Sequence, residues 1–356
     1  MRNQLWSSVG CLVLIAACSS NSDKGSGGGA AGGKTEGGAA QGGAAQGGLG
    51  DGGATNGGAA GGPEGHSGAG AGHSGGSGGG AASNGGSAGV HAGGAAGNAA
   101  AGAAGTSATG CTSSTAGYKL VWSDEFTGPA GTAVDSSKWT FDVGGTGWGN
   151  DELEYYTSGT NNAALDGAGN LVITAKQEAM GGKNYTSARI KTQGHKTFSY
   201  GRIEARMKIP EGQGLWPAFW LLGDDITSNS WPACGEIDVM ENIGKEPNII
   251  HATIHGPGYS AGAGPTKQYM LPAPVASAFH VFAIEWELNT IRWYVDDTLY
   301  STKTPSDIPS GATWVYAHPF FIIMNLAVGG GWPGNPDGTT TFPQQLQVDY
   351  VRVCQK

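Results

Sequence analysis

Aromatic residues are missing from a long stretch of this chain. After Trp6 none occurs before Tyr118, and residues 118–356 hold all but one of the 11 Trp, 11 Tyr and 9 Phe. Proline is scarce in the same stretch, with Pro63 alone between 21 and 110, and charge is too: Lys34, Glu36, Asp51 and Glu64 are the only charged residues from 25 to 110. Such a segment cannot bury enough apolar surface to offset its chain entropy, so no packed core forms there. Glycine is what it has, 37 in the 90 residues 21–110, but in pairs and not at every third position, which excludes a collagen helix. Basic excess is lacking as well. With 19 Lys and Arg against 28 Asp and Glu, a net charge of −9 excludes a general nucleic-acid binder. No long apolar run is present either: Val9 to Ala17 follows Arg2 as an apolar core too short to cross a bilayer.

That short run ends in Leu14-Ile-Ala-Ala-Cys18, with Ser19 next. The pattern resembles the lipobox of bacterial lipoproteins. The resemblance implies a signal peptide over 1–17, acylation of Cys18, and export to the outer membrane or surface of a Gram-negative cell. Residues 18–117 then read as a disordered Gly/Ala-rich tether, a coil whose ends lie roughly 50 Å apart.

From Tyr118 onward the chain changes character. Lys119–Trp122, Asn170–Thr174, Gly201–Ile209, Ile249–His255, His280–Trp286, Ile291–Val295, Phe320–Asn325 and Leu346–Val353 alternate with period two, separated by Gly, Asn, Asp and Pro turns. About a dozen such runs and no sustained helical period predict an all-β sandwich or jelly roll of two antiparallel sheets, with a bent sheet offering a concave groove. Residues 118–356 are enough for one domain with a substantial core.

The chemistry concentrates in Trp231-Pro-Ala-Cys-Gly-Glu236-Ile-Asp238-Val-Met-Glu241. On a strand Glu236 and Asp238 share a face, whereas Glu241, five residues from Glu236, falls on the other. A β-bulge near Met240 restores the parity and returns Glu241 to the side of the first two acids. Two glutamates so placed can close to about 5–5.5 Å between carboxyl groups, the separation of a retaining glycosidase. Three crowded carboxylates cannot all ionise cheaply, so one keeps a proton near neutral pH. Trp216-Pro-Ala-Phe-Trp220, Trp231 and Trp332 flank the acids with rings of the kind that stack on sugars.

Glu236-Ile-Asp-Val-Met-Glu241 resembles the catalytic signature of glycoside hydrolase family 16 in its longer, bulged form. The resemblance runs on through Leu120–Phe126, Gly147–Thr157, Gly201–Arg206, Gly214–Gly223, Phe279–Trp286, Asn325–Gly334 and Gln347–Val353, and is similar to the laminarinase branch. It implies an endo-acting, retaining hydrolase of internal β-1,3 linkages in β-glucans. Glu236 would be the nucleophile, Glu241 the acid/base, and Asp238 the helper that keeps the shared proton in place. Asn150, Arg189, Trp216, Trp220, His255, Asn325 and Trp332 would meet the sugar. No cofactor is implied for catalysis; a structural Ca²⁺ would take Glu125, through its carbonyl, and Asp349. Asp151 and Glu154 depart from the Asn and Gln of many relatives, a departure that reads as added negative charge near a groove end. His251 and His255 share a strand face but lack a third metal ligand, which favours hydrogen bonding.

Cysteine counting leaves Cys111, Cys234 and Cys354 after the signal and the anchor. If the first and last strands neighbour each other, Cys111 and Cys354 would clasp the domain ends and Cys234 would stay free. The expected partners are a β-glucan and, through Cys18, a membrane, with the domain acting as a monomer. A non-catalytic glucan-binding surface protein, and a hydrolase or transglycosylase of another β-linked polysaccharide such as a galactan, are the alternatives. Intact Glu236 and Glu241 speak against the first.

Overall fold

The structure, a computed structural model, describes residues 110–111 and 117–356. The proposed signal, Cys18 and most of the tether lie outside the described residues. The strands are β1 (Lys119–Asp124), β2 (Thr140–Asp142), β3 (Glu154–Tyr156), β4 (Ala163–Leu165), β5 (Leu171–Ala175), β6 (Tyr185–Ser187), β7 (Arg189–Lys191), β8 (Gly201–Lys208) and β9 (Leu215–Gly223). They continue with β10 (Glu236–Glu241), β11 (Ile249–His255), β12 (Lys267–Met270), β13 (His280–Glu287), β14 (Thr290–Val295), β15 (Thr298–Lys303), β16 (Phe320–Val328) and β17 (Gln344–Gln355). All eight runs singled out by their alternation are strands. Five of the others, β2, β3, β4, β6 and β7, are three residues long, too short to show a period.

Two large antiparallel sheets form the sandwich. One has the order β15-β14-β13-β8-β17-β5-β4, with β1 also pairing β17; the other is β12-β11-β10-β9-β16-β7-β2. A short parallel pair, β3 and β6, stands apart. Alternate residues of the two sheets meet in one core. Ile203, Ala205 and Met207 of β8, Phe282, Ile284 and Trp286 of β13, and Val351 and Val353 of β17 belong to it. So do Phe219 and Leu221 of β9, Ile237 of β10, Ile254 of β11 and Ile322, Met324 and Leu326 of β16. The period-two pattern therefore leaves the other face of the seven-stranded sheet free to carry polar and aromatic side chains.

The chain ends meet as the cysteine count anticipates. β1 lies antiparallel beside β17, and Cys111 is disulfide-bonded to Cys354 across 243 residues of sequence. Arg352 adds a bond from Nη1 to the Gly110 carbonyl at 3.0 Å. Cys234 is free and buried. A cross-link closing so long a loop constrains the unfolded chain most. Replacing Cys111 and Cys354 together by Ser should lower stability by about 2–4 kcal/mol without abolishing activity. Thermal unfolding of the variant beside the wild type, with and without reductant, checks this; equal melting under all conditions would count against a clasp.

Candidate active site

The site is built on β10, and β10 is irregular. In its pairing with β9, Asp238 lies opposite Trp220 and Met240 opposite Phe219, so two steps on β10 match one on β9. The pairing with β11 slips over the same stretch, from Asp238 opposite Thr253 to Glu241 opposite His251. One extra residue at Val239–Met240 is the bulge that the acid spacing requires. Both of these consecutive side chains enter the core, at 1 % and 0 % exposure, which an unbroken strand cannot do. Trp293 of the facing sheet donates its Nε1 proton to the Asp238 carbonyl at 2.8 Å, so the irregular backbone keeps a buried partner.

Register then places the outward side chains in rows. Glu236 lies between Leu222 of β9 and His255 of β11; Asp238 lies between Trp220 and Thr253; Glu241 lies between Ala218 and His251. On β16, Ile323 pairs Trp220 and Asn325 pairs Ala218, and Arg189 of β7 comes next to Asn325. Trp216 lies two residues along β9 from Ala218 on the same face. Glu236, Asp238 and Glu241 thus share one face with Trp216, Trp220, His255, Asn325 and Arg189, as the spacing predicts.

Each glutamate is held by an indole. Trp231 Nε1 donates to Glu236 Oε2 at 2.8 Å, and Trp216 Nε1 donates to Glu241 Oε1 at 3.1 Å. His255 Nε2 stands 3.1 Å from Asp238 Oδ2 and 3.8 Å from Glu236 Oε1. His255 therefore has the acidic neighbours that its own strand does not show. Glu236, Asp238 and His255 are near enough to hold a cation, and among the described residues they are the only such cluster of three or more. Their geometry equally suits a set sharing protons. His251 instead binds Glu246 Oε2 at 2.9 Å and packs edge-on against Trp332, which in turn meets Trp216 edge-on.

Burial dominates the electrostatics. It raises the Glu236 carboxyl to about 8, with the Asp238 charge adding and His255 opposing. Asp238 rises to about 7 for the same first reason. Glu241 is pushed well above the usual carboxylate range by burial and then by the charge of Asp238. The trio therefore holds protons at neutral pH, with Glu241 a proton donor in waiting. Cys234, two residues before Glu236, is no nucleophile: burial and the Glu236 charge push its thiol up to about 12.

The sugar-contact residues divide. Trp332, on a Gly-rich turn, is exposed, and Trp216 and Trp220 are half-buried beside the acids. Arg189 lies between the indoles of Trp148 and Trp220, at 5.0 and 4.8 Å from their centroids, and pairs with Asp142 at 2.9 Å. Asn150 sits on the loop before β3, its carbonyl receiving the Gly331 amide and its Nδ2 bonding Glu152. Asn325 does not offer its amide outward as expected. It is buried, with Oδ1 accepting from Trp220 Nε1 at 2.8 Å and Nδ2 donating to the Tyr156 hydroxyl at 3.2 Å. The reading of Glu154 also needs correction. Asp151 is exposed, but Glu154, the first residue of β3, is fully buried, its Oε2 accepting the Val328 amide at 2.7 Å. Burial, and then the charge of Glu152, raise its carboxyl well above the usual range, so it adds a neutral acid and no surface charge. Sequence reasoning missed Trp148, Glu152 and Tyr156. All three stand in the Gly147–Thr157 stretch, but only the fold shows that they support Arg189, Asn150 and Asn325.

The Ca²⁺ ligands fare differently. Glu125 makes two bonds to the Arg352 guanidinium, at 2.9 and 2.7 Å, and Asp349 pairs with Arg206 at 2.6 Å. Each carboxylate is thus paired with an arginine, whereas a calcium held through the Glu125 carbonyl would leave the Glu125–Arg352 pair in place and draw only on Asp349.

The family model described as glycosyl hydrolases family 16 matches residues 150–352. A β-glucanase of Rhodothermus marinus is 44% identical over 244 residues, which span 66% of this chain and 85% of that protein. Among solved structures, an endo-β-1,3-glucanase from Pyrococcus furiosus superposes with a TM-score of 0.63 at 48% identity, covering 67% of this chain and 94% of that one. The laminarinase catalytic domain from Thermotoga maritima gives 0.64 at 45% identity, covering 67% and 98%.

Two outcomes follow from the geometry. The raised carboxyls bind more protons folded than unfolded between about pH 4.5 and 8, so their own contribution to folding stability falls as pH rises through that window. Glu236→Gln removes part of that slope, and at pH 8 the variant should melt several degrees above wild type; a lower melting temperature at pH 8 than at pH 5 relative to wild type would contradict it. Deleting Met240 removes the extra residue. The variant should fold, yet shift the Glu241 carboxyl by about 1 Å or more, with turnover of whatever glycan the wild type cleaves falling on the order of 100-fold. Retained turnover in a folded deletion variant would show that the bulge is dispensable.

Proposed function

This chain belongs to glycosyl hydrolase family 16, and from that membership and the geometry of β10 we propose that it is an endo-acting, retaining hydrolase of internal β-1,3 linkages in laminarin-like β-glucans. The observation that carries the reading is the bulge, which turns Glu236, Asp238 and Glu241 to one face while each glutamate keeps one oxygen on an indole N–H. The second oxygen of each is then free to react. The β-glucanase, endo-β-1,3-glucanase and laminarinase to which the chain is similar support the substrate.

In this reading Glu236 attacks the anomeric carbon as Glu241 passes its proton to the departing glycosidic oxygen, forming a glycosyl-enzyme ester. Glu241, now ionised, takes a proton from water, which attacks the same carbon and frees Glu236. Two inversions give net retention. Asp238 serves by holding the proton it shares with Glu236: when the proton rests on Asp238, Glu236 is the charged nucleophile. His255, 3.1 Å from Asp238, offsets the crowded negative charge. Trp216, Trp220 and Trp332 offer faces for sugar rings, with Asn150 and Arg189 at one end. The reaction draws on no cofactor. The Cys18 anchor and the glycine-rich tether belong to the same proposal: they would hold the domain, as a monomer, on the outer membrane or cell surface of a Gram-negative bacterium.

Glu236→Gln and Glu241→Gln should each reduce laminarin hydrolysis by about 10⁴-fold or more while leaving the melting profile cooperative. Proton NMR of the first wild-type product should show the β-anomer before mutarotation. An initial α-anomer would exclude the mechanism, and wild-type-like activity in either variant would exclude the assignment.

A further inference from the structure

A chain of hydrogen bonds runs behind the sugar-facing residues to a carboxylate that touches none of them directly except Asn150. Its directions are fixed by its ends. An indole N–H can only donate, so Trp220 Nε1 takes Asn325 Oδ1 at 2.8 Å and turns Asn325 Nδ2 toward the Tyr156 oxygen at 3.2 Å. With its oxygen accepting, the Tyr156 hydroxyl donates onward to Glu152 Oε2 at 2.9 Å. Asn150 Nδ2 donates to the other oxygen, Glu152 Oε1, at 2.9 Å. Glu152 thus accepts at both oxygens. Glu152, Tyr156 and Asn325 are 3 %, 0 % and 6 % exposed, so water cannot substitute for a lost partner.

The relay has two arms with one root. One arm fixes Asn150 on the loop before β3. The other fixes the rotation of the Trp220 indole, whose face is already set against Arg189 at 4.8 Å. Arg189 is capped on its other side by Trp148, which packs on Tyr156 with centroids 5.5 Å apart. Asn150, Trp148 and Trp220 are thus each tied, directly or through one neighbour, to the buried Glu152–Tyr156 pair, while Arg189 is held as well by Asp142.

We propose that Glu152 is a positioning residue for glucan binding: it presets the Trp220 platform, through Tyr156 and Asn325, and the Asn150 amide before the sugar arrives. The inference rests on the glucanase reading for the identity of the sugar but not for the relay itself. Because Glu152 bonds to Asn150 and Tyr156 and acts on the sugar only through Asn150 and Trp220, its effect is expected in binding more than in bond cleavage.

The test uses the full chain carrying Glu152→Gln or Tyr156→Phe, the second a milder change that removes only the hydroxyl. On laminarin each variant should raise KM by about 10-fold while kcat stays within about 3-fold of wild type. Independently, in ¹⁵N-tryptophan-labelled protein without sugar, the Trp220 indole resonance, assigned with Trp220→Phe, should shift in both variants. Adding Glu152→Gln to Tyr156→Phe should move it little further, because the relay is already cut. An unmoved Trp220 resonance in folded Tyr156→Phe overturns the proposal, as does a loss confined to kcat. If wild-type protein leaves laminarin intact, the glucanase reading fails, and the indole resonance alone decides the relay.

Discussion

The extra residue in β10 is the constraint from which the rest of the open face follows. A regular strand would send Glu236 and Glu241 to opposite sides and bury one carboxylate in the sandwich. Inserting one residue sends Val239 and Met240 together into the core and brings Glu241 back beside Trp216. The insertion disturbs the ladder, and the fold answers with Trp293, whose indole reaches across the core to the Asp238 carbonyl. One local irregularity is thereby tied to both layers: to the apolar packing that resists its straightening, and to the acids whose alignment it secures. The catalytic strand is central in its sheet, between β9 and β11, so neighbours on both sides enforce the slipped register.

Aligning three acids has a consequence for stability. Burial raises all of them, and the Asp238 charge raises both glutamates further. Above the pKa of an unfolded carboxyl, each group that holds its proton in the fold but would lose it in water favours unfolding. The site is therefore a region that the remaining core must outweigh. That same opposition keeps a proton on Glu241 at neutral pH, where an ordinary glutamate would have lost it. Destabilisation and reactivity are here one property seen from two sides.

How much of this was legible in the sequence depends on how local the cause is. The sandwich was, because alternation over five or more residues records which face meets the core. The bulge was, because an odd spacing between two acids that must act together has few repairs. Three-residue strands such as β3 and β7 were not, since three residues carry no period. The depth of a residue was not legible either. Glu154 and Asn325 read as groove residues in a linear motif, yet both are buried, Glu154 giving one oxygen to the Val328 amide and Asn325 spending both polar atoms on Trp220 and Tyr156. Likewise Glu125 and Asp349 are acidic near adjoining strands, but the arginines that occupy them come from β17 and β8, far away in sequence.

Tryptophan recurs at each joint of the site for a reason that goes beyond sugar stacking. Trp231 holds Glu236, Trp216 holds Glu241, Trp220 holds Asn325, and Trp293 holds the Asp238 carbonyl. A serine or tyrosine hydroxyl in these places could reverse its bond and accept from a protonated carboxyl, and an asparagine could flip. An indole can do neither. It donates one bond, in the plane of a ring whose position is fixed by packing, and it takes up no proton at any pH the site experiences. Each carboxyl so held has one oxygen assigned to the scaffold whichever way its own proton goes. The mobile protons are then confined to the remaining carboxyl oxygens. A site that must move protons among crowded acids without letting those acids rotate is better served by donors of this kind than by partners that could join the exchange.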